Sequence, residues 1–417
     1  MRRDKAMLIG SNGLSFQEGG QEMKRGLAIL VSIMCLALLA GSFSSVAAAD
    51  KVRGVTDTEI IIGQWGPQTG PAALWGSVAR GSGVYFDMIN AEGGINGRKI
   101  KYVLRDDAYQ PAKTKAIAKE FVEDIGVFAV ACGVGTSPGM AVRDYLMENK
   151  VPWVGPATGS RHWTEPFQKY LFALYPRYAD EAYLLTQYAV EKLNKKKIGF
   201  FYQNDDYGKE GMEGAKKYLD KKGIKLAAEV PVEVTDTDLK SHALKLKESG
   251  ADAVIMWVLP KHAATILGQA KAAGFQPQWI ASSTLSDAPL MHKLTKGLWE
   301  GVIYANFLDI DNPKVKKYLE AQQKFAPNEQ NTGVFFLAGF MFVEPMVEGL
   351  RRAGKDLTPD TFVKAMESIK NWNDWIGHDC TFTAQDHQGM KSIFLSKSGP
   401  EGKAEKISDW MTYKEGK

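Results

Sequence analysis

The sequence predicts an α/β protein made of two lobes, each built around a doubly wound parallel sheet. Segments with strand character alternate with segments of helical spacing along most of the 417 residues. Such alternation is typical of parallel sheets covered by helices, which bind ligands at the carboxyl ends of their strands. The alternation breaks near Pro176 and then starts again. Two runs of four to five strands therefore predict two similar lobes, with a first crossover at the break.

The first run contains five predicted strands and three predicted helices. Its opening segment is rich in β-branched residues, which indicates a buried strand, and a turn rich in glycine and proline follows. The predicted strands are Glu59–Trp65, Lys99–Arg105, Val127–Cys132, Val151–Val154 and Tyr170–Leu174. The predicted helices are Leu74–Asn90, Ala112–Asp124 and a segment that follows Thr136-Ser137-Pro138 and ends near Lys150.

The second run repeats the pattern, and a mainly helical region follows it from Asn312 onward. The predicted strands are Lys197–Tyr202, Lys225–Val232, Ala253–Val258, Gln278–Ala281 and Val302–Asn306. The predicted helices between them are Asp180–Leu193, Gly208–Lys222, Leu239–Ser249 and Ala263–Ala273. The helical region comprises Pro313–Phe325, Gly333–Arg352 and Pro359–Ser368, and short strand-like pieces lie near Thr381–Phe382 and Ser392–Leu395.

The N-terminal segment, residues 1–49, is predicted to be a cleavable signal peptide. Its apolar core, Gly26–Ala40, has fifteen residues, fewer than the roughly 20 needed to span a bilayer. Small residues at 46–49 provide a cleavage site before Asp50, and no cysteine follows the apolar core to accept a lipid. Residues 1–22 are interpreted as an over-extended start. A soluble periplasmic protein is therefore expected.

The charge balance gives no reason to expect a nucleic acid or an acidic membrane as a partner. Without residues 1–49, the chain carries 47 lysine and arginine residues against 45 aspartate and glutamate residues, a near-neutral total. Two cysteines remain, Cys132 and Cys380. In an oxidising compartment they either pair or stay as two buried thiols, and the sequence leaves both possibilities open.

Motifs for catalysis, metal binding and cofactor binding are missing from the sequence. The six histidines form no His-x-x-x-His pair, and no Gly-x-Ser-x-Gly nucleophile motif occurs. The glycines at 133, 135 and 139 resemble a dinucleotide fingerprint, but their spacing is one residue too long. We therefore expect a protein that is not an enzyme and that uses no cofactor or metal.

The stretch from Ala131 to Gly159 contains the best candidate for a binding site. Two consecutive predicted strands end there in turns of small residues, Thr136-Ser137-Pro138 and Gly155–Gly159. Both turns offer a hydroxyl group and backbone N–H groups with little side-chain bulk. Such turns hold small anionic or zwitterionic groups.

Two aromatic residues lie in similar places after predicted strands. Trp75 follows the Gly/Pro turn of the first strand, and Tyr207 follows the loop after Lys197–Tyr202. An aromatic side chain at the carboxyl end of a strand is expected to cover a ligand. The loop before Tyr207 is also suited to cap a helix through Asp206, and both roles are compatible. Trp257, within a strand, is expected in the core.

The order of several short motifs resembles the periplasmic leucine/isoleucine/valine-binding family, the type I solute-binding proteins of ABC importers. The resemblance covers essentially the whole chain after residue 49. The motifs are Leu74-Trp75-Gly76, Ile89–Gly97 (INAEGGING), Asp106-Asp107, Pro152–Thr158, Tyr207-Gly208 and Gln269–Gly274 (QAKAAG). The resemblance implies two lobes joined by a three-strand hinge, with lobe 1 at 50–176 and 307–388 and lobe 2 at 177–306 and 389–417. It also implies a periplasmic monomer that delivers a small ligand to a membrane permease.

The resemblance further implies which residues bind the ligand. The ligand's carboxylate would be held by the turns at Gly135, Thr136, Ser137, Ala157, Thr158 and Gly159. Trp75 and Tyr207 would form the walls around its side chain. Two positions depart from the family: Ser283 stands where the acid that pairs with the ligand's ammonium is found, and Leu259 stands where an aromatic wall is found.

These departures leave the ligand class open. A buried ammonium without a carboxylate partner is costly. The cargo is therefore either a hydrophobic amino acid, with Asp205 or Asp287 replacing the missing acid, or an aromatic or aliphatic carboxylate without an amino group. A third possibility is a ligand-sensing module for a receptor.

Overall fold

The computed structural model describes residues 51–414. The predicted signal peptide and its cleavage before Asp50 therefore lie outside the described residues. Within the described part, no helix combines the length and the apolar character needed to cross a membrane.

The first sheet contains five strands, all parallel, in the order β2-β1-β3-β4-β5. The strands are β1 (Glu59–Trp65), β2 (Lys99–Arg105), β3 (Ala129–Ala131), β4 (Trp153–Val154) and β5 (Leu171–Phe172). Successive side chains of β1 point to opposite faces of the sheet, so that Ile60 and Ile62 share one buried face. A register with Ile60 opposite Ile100 places the first two strands side by side.

The helices of this lobe differ from the predictions at two places. A single 3-10 turn, Ala73–Gly76, precedes α1 (Ser77–Ala91), whereas the sequence predicted one helix. The segment after Thr136 forms two short helices, α3 (Thr136–Met140) and α4 (Arg143–Glu148), because Val142 leaves the helical conformation. Between α1 and α3 in the chain, α2 (Pro111–Lys119) continues into a π-helix, Glu120–Ile125.

The second sheet contains eight strands: seven follow the order β12-β11-β10-β9-β8-β6-β7, and the eighth, β13, pairs with β11. Strands β6 to β10 are parallel, and β11 to β13 are antiparallel additions. The strands are β6 (Ile198–Gln203), β7 (Ala228–Val232), β8 (Ala253–Trp257), β9 (Gln278–Ala281), β10 (Ile303–Asn306), β11 (Ser392–Ser398), β12 (Ala404–Lys406) and β13 (Met411–Thr412). Trp257 lies in the core, as expected.

Five helices accompany the second sheet, and three later helices return to the first lobe. The helices of the second lobe are α5 (Tyr178–Glu191), α6 (Asp206–Lys221), α7 (Lys240–Glu248), α8 (Pro260–Ala272) and α9 (Ala288–Leu294). The later helices are α10 (Lys314–Phe325), α11 (Val334–Ala353) and α12 (Pro359–Glu367). No strand forms at Thr381–Phe382, so that prediction was wrong.

Glycines allow α11 to cross α1 at very short range. A Cβ atom added to Gly81 would lie 2.1 Å from the Phe336 carbonyl oxygen, and one added to Gly339 would lie 2.1 Å from that of Val78. At this crossing the hydroxyl of Ser82 donates to the Gly339 carbonyl at 3.1 Å. The backbone contact fixes α11 against α1.

The chain passes between the lobes three times: after β5, after β10 and before β11. Gln388 in the third crossover donates its Nε2 to the carbonyls of Tyr175 and Met390, at 2.8 Å each. The ring of Phe307 in the second crossover lies 4.5 Å from the ring of Tyr175 in the first. The three crossovers are thus tied together side by side as a hinge. The predicted fold class, two parallel-sheet lobes with this hinge, is confirmed.

The two cysteines of the described chain are free and buried. Burial raises the pKa of the Cys132 thiol to about 12, and it raises the pKa of Cys380 as well. Of the two possibilities that the sequence left open, the structure shows two separate buried thiols.

Candidate functional site

A narrow cavity lies between the two lobes at the carboxyl ends of their strands. The unfilled space there is about 320 Å³ when open solvent is included, but the closed lobes leave room for little more than about one water molecule. Its lining residues are Trp75, Tyr109, Val134, Gly135, Thr136, Ala157, Tyr178, Tyr207, Leu259 and Thr284. Each of them follows a strand or lies at the start of the element after one; Tyr178, for example, begins α5, the element that follows β5. This is where open parallel sheets bind ligands.

Six of the ten predicted site residues line this cavity, and four do not. The six are Trp75, Gly135, Thr136, Ala157, Tyr207 and Leu259. The other four, Ser137, Thr158, Gly159 and Ser283, lie behind or beside the wall and contact other groups. Their contacts show what each does instead.

Thr158 supports Thr136 from behind. The two hydroxyl oxygens lie 2.6 Å apart, and both residues are buried. Gly159 contacts the first crossover: a Cβ atom there would lie 2.1 Å from the Pro176 carbonyl oxygen, and its own carbonyl accepts from the Tyr178 N–H at 2.8 Å. Thr136 therefore presents its hydroxyl from a rigid base that is tied to the hinge.

Ser137 contributes to the closure of the lobes. Its Oγ donates across the cleft to Asp205 Oδ2 at 3.1 Å. A second bridge lies nearby: Glu210 on α6 accepts from the Ser160 hydroxyl at 2.6 Å and from the Arg161 N–H at 2.9 Å. Burial raises the pKa of Asp205 and raises the pKa of Glu210 to about 7. We call Asp205 and Glu210 the latch acids.

Ser283 faces the hinge. Its N–H and its hydroxyl both donate to the carboxylate of Glu181 at 2.6 Å, and its Oγ also lies 2.8 Å from the Tyr175 hydroxyl. Burial raises the pKa of Glu181 to about 7. The next residue, Thr284, reaches the cavity instead.

Tyr207, Thr284 and Trp75 close the second-lobe end of the cavity. The hydroxyls of Tyr207 and Thr284 lie 2.6 Å apart, and the Ser282 hydroxyl is also bonded to Thr284. The indole Nε1 of Trp75 donates to the Thr284 carbonyl at 3.2 Å, which joins the lobes. The Trp75 ring stacks on Phe335, with centroids 4.3 Å apart. The aromatic walls are thus fixed by packing and by hydrogen bonds.

Sequence reasoning missed four lining residues: Tyr109, Val134, Tyr178 and Thr284. Tyr109 follows Ala108, and both have positive φ angles, +60° and +50°. The carboxylates of Asp106 and Asp107 hold this strained turn by accepting from the N–H groups of Ala108 at 2.8 Å and Tyr109 at 3.1 Å. Strained backbone often marks a functional site. The Asp106-Asp107 pair was the available signal.

Gly135 allows the Tyr109 ring to reach the cavity. Its φ is +100°, and a Cβ atom there would lie 2.4 Å from Tyr109 Cε2. Only glycine adopts this φ readily and leaves room for the ring. The Tyr109 hydroxyl also lies 3.5 Å from Gln203 Nε2 in the second lobe.

None of the ten lining side chains is acidic or basic. The polar groups of the wall are the hydroxyls of Thr136 and Thr284 and those of three tyrosines. In the described part of the chain, no group of three or more histidine, cysteine, aspartate or glutamate residues is arranged to hold a metal ion. The cavity therefore suits a ligand that combines an apolar body with a group that accepts hydrogen bonds.

Comparisons with known proteins agree with this architecture. A family model described as "Periplasmic binding protein" matches residues 59–403. A leucine-, isoleucine-, valine-, threonine- and alanine-binding protein of Pseudomonas aeruginosa is 25% identical over 348 residues, which are 83% of this chain and 90% of the relative. Leu/Ile/Val-binding protein homolog 3 of Brucella melitensis is 28% identical over 339 residues, 80% of this chain and 90% of the relative.

A solved structure is similar over most of both chains. The fatty acid ABC transporter substrate-binding protein of Thermomonospora curvata superposes with a TM-score of 0.78 at 25% identity. The match covers 87% of this chain and 95% of that protein.

Proposed function

Since the chain belongs to the periplasmic binding protein family, we propose that it is the extracytoplasmic solute-binding protein of a branched-chain-amino-acid-type ABC importer. It captures a small carboxylate-bearing ligand in the cavity between its lobes, and the first ligand class to test is a hydrophobic amino acid. It acts as a periplasmic monomer, delivers the ligand to a membrane permease and catalyses no reaction.

The observation that carries this proposal is the cavity itself. It lies between two hinged lobes, has aromatic walls and offers hydroxyl groups at both ends. A ligand that contacts both lobes favours the closed form, because it binds that form better than the open one. The named ligands of the relatives, leucine, isoleucine and valine among them, match the apolar walls.

Within this proposal, Thr136 binds the ligand's carboxylate from the first lobe, with Gly135 and Ala157 beside it. Trp75, Tyr207 and Leu259 surround the apolar part. The other four predicted residues act through their neighbours. Thr158 supports Thr136, and Ser137 binds the latch acid Asp205. Gly159 and Ser283 contact the hinge.

A second ligand class is an aromatic or aliphatic carboxylate without an amino group. The uncharged lining of the cavity favours it. The named cargo of the Thermomonospora curvata protein, a fatty acid, belongs to this class.

A thermal-shift screen of residues 50–417 tests the proposal. The panel contains leucine, isoleucine, valine and phenylalanine beside 4-methylpentanoate, 3-phenylpropanoate and benzoate. A ligand at 100 times its Kd adds about 2.7 kcal/mol to the free energy of unfolding and raises Tm. Tyr207→Ala should abolish the shift, whereas Lys209→Ala, at an exposed position of the same helix, should keep it. A panel without any shift would refute a carboxylate-binding role.

A further inference from the structure

We infer that the ligand of this cleft carries no charged amino group: it is a monocarboxylate with an aromatic or branched apolar body. This inference rests on the proposed function, in which the ligand bears a carboxylate. The charges around the cavity then decide between the two ligand classes.

The wall of the cavity contains no acidic or basic side chain. Four of its ten residues are aromatic, and the remainder are aliphatic, glycine or threonine residues. The ammonium of an amino acid that enters such a cavity loses its hydration and meets no carboxylate of the protein wall. Burial of an unpaired charge is among the most expensive events in protein binding.

Asp205, the acid of the second lobe that lies near Tyr109, is already held by hydrogen bonds. Its Oδ2 accepts from Ser137 Oγ at 3.1 Å and from Gln203 Nε2 at 2.6 Å, and its Oδ1 accepts from the Gly208 N–H at 3.3 Å. Both oxygens are therefore engaged: Oδ2 holds the lobes together, and Oδ1 caps the N-terminus of α6. Turning Asp205 toward an ammonium would break these contacts.

The other latch acid, Glu210, is engaged by the Ser160 hydroxyl and the Arg161 N–H and does not line the cavity.

Two further acids of the second lobe are buried, Glu181 and Asp287. Both oxygens of Glu181 accept from Ser283 at 2.6 Å, and this pair lies behind the wall. Asp287 caps α9 by accepting from the Leu290 N–H at 3.3 Å, and its other oxygen lies 3.5 Å from the Phe335 N–H. Neither acid lines the cavity. The acid that the sequence lacks at position 283 is thus not replaced by a neighbour.

The cavity offers hydroxyl groups and aromatic rings to a ligand. Hydroxyl groups lie at both ends, the Thr136–Thr158 pair in one lobe and the Tyr207–Thr284 pair in the other. Hydroxyls donate to a carboxylate and need no counter-charge for this. Between them, the rings of Trp75, Tyr109, Tyr178 and Tyr207 provide flat apolar contact. A carboxylate on an apolar body satisfies this set completely, and an added ammonium does not.

Matched ligand pairs test the inference directly. Calorimetric titration of residues 50–417 at pH 7 would compare 4-methylpentanoate with leucine and 3-phenylpropanoate with phenylalanine, since each pair differs only in the amino group. We expect at least one acid to bind about 30-fold or more tightly than its amino acid. If an amino acid binds as tightly as its acid or more tightly, the inference is wrong and the proposed function stands. If no carboxylate binds at all, both fail.

A variant that restores the missing charge gives a second, independent readout. Thr284→Asp places a carboxylate in the wall and should shift the preference toward the amino acid of each pair by about ten-fold or more. Thr265→Asp adds the same charge on α8, away from the cavity, and should leave the preference unchanged. Melting curves establish that both variants fold. An unchanged preference in folded Thr284→Asp would contradict the inference.

Discussion

The latch acid Glu210 makes ligand binding dependent on pH. Its carboxylate crosses the cleft to the Ser160 hydroxyl and the Arg161 N–H, and it is buried in the closed form. The charged groups that face it are His162, with Nε2 at 3.7 Å, and Arg161, which also pairs with Glu213 at 2.9 Å. Burial raises the pKa of Glu210 from 4.5 to about 7.

Ligand affinity changes with pH because the pKa of Glu210 differs between the open and the closed form. In the open form the first lobe no longer covers Glu210, so its pKa is expected near 4.5. The closed form then binds more protons than the open form between pH 4.5 and pH 7. Closure and ligand affinity are strongest at low pH, fall as the pH rises through this window, and level off above about pH 7. From pH 5.5 to pH 8 the expected loss of affinity is on the order of ten-fold.

Glu210→Gln keeps the shape of the side chain and removes its titration. The test measures Kd by calorimetry from pH 5.5 to pH 8 with whichever of leucine and 4-methylpentanoate binds. His162 is partly buried, its pKa is lowered by desolvation and it acts in the opposite direction, whereas Asp205 acts in the same direction as Glu210. Both remain in the variant, so the difference between the two profiles reports the titration of Glu210 together with its coupling to His162.

We expect the variant to lose this part of the pH dependence and to bind more tightly than the unaltered protein at pH 8. Glu213→Gln is the matched control, because Glu213 is exposed and makes a surface ion pair, which contributes little. Parallel profiles for the unaltered protein and Glu210→Gln would refute the reasoning.

Two further predictions concern the first lobe. Thr136→Val removes a hydroxyl donor to the carboxylate and should weaken binding by about 1–3 kcal/mol in calorimetry; an unchanged Kd would remove Thr136 from the site. Gly159→Ala should lower the free energy of unfolding in urea by more than about 2 kcal/mol, because its Cβ would collide with the Pro176 carbonyl. Gly268→Ala is the matched control, because Gly268 is an exposed position of α8 with open space around it, and this substitution should raise that free energy by about 0.5–1 kcal/mol. Equal effects of the two glycine substitutions would contradict the packing described at Pro176.

Much of the fold could be predicted because local signals and tertiary structure agree. Strands β1, β2 and β9 have the predicted bounds, since β-branched or apolar runs end there in turn residues. The antiparallel strands β12 and β13 were missed. They have two or three residues each, and β12 reads Ala-Glu-Lys with all three side chains exposed, so no apolar alternation marks it.

The candidate site was predictable only in part, because side-chain direction depends on turn geometry. Sequence reasoning placed Ser283 at the cavity, but its neighbour Thr284 points there and Ser283 turns to Glu181. Tyr109 reaches the wall through two left-handed residues, which no propensity predicts. Tyr178 lines the cavity only because the hinge brings the start of α5 beneath it.

The two buried thiols have a practical consequence for labelling. Cys132 and Cys380 are enclosed in the core, and their raised pKa values keep them protonated, which makes them poor nucleophiles toward maleimides. Within residues 51–414, a Lys209→Cys substitution would therefore supply the only accessible thiol. Position 209 is exposed on the helix that carries both Tyr207 and Glu210. A dye attached there would lie on α6, which moves relative to the first lobe when the lobes close. Its fluorescence would then report ligand binding.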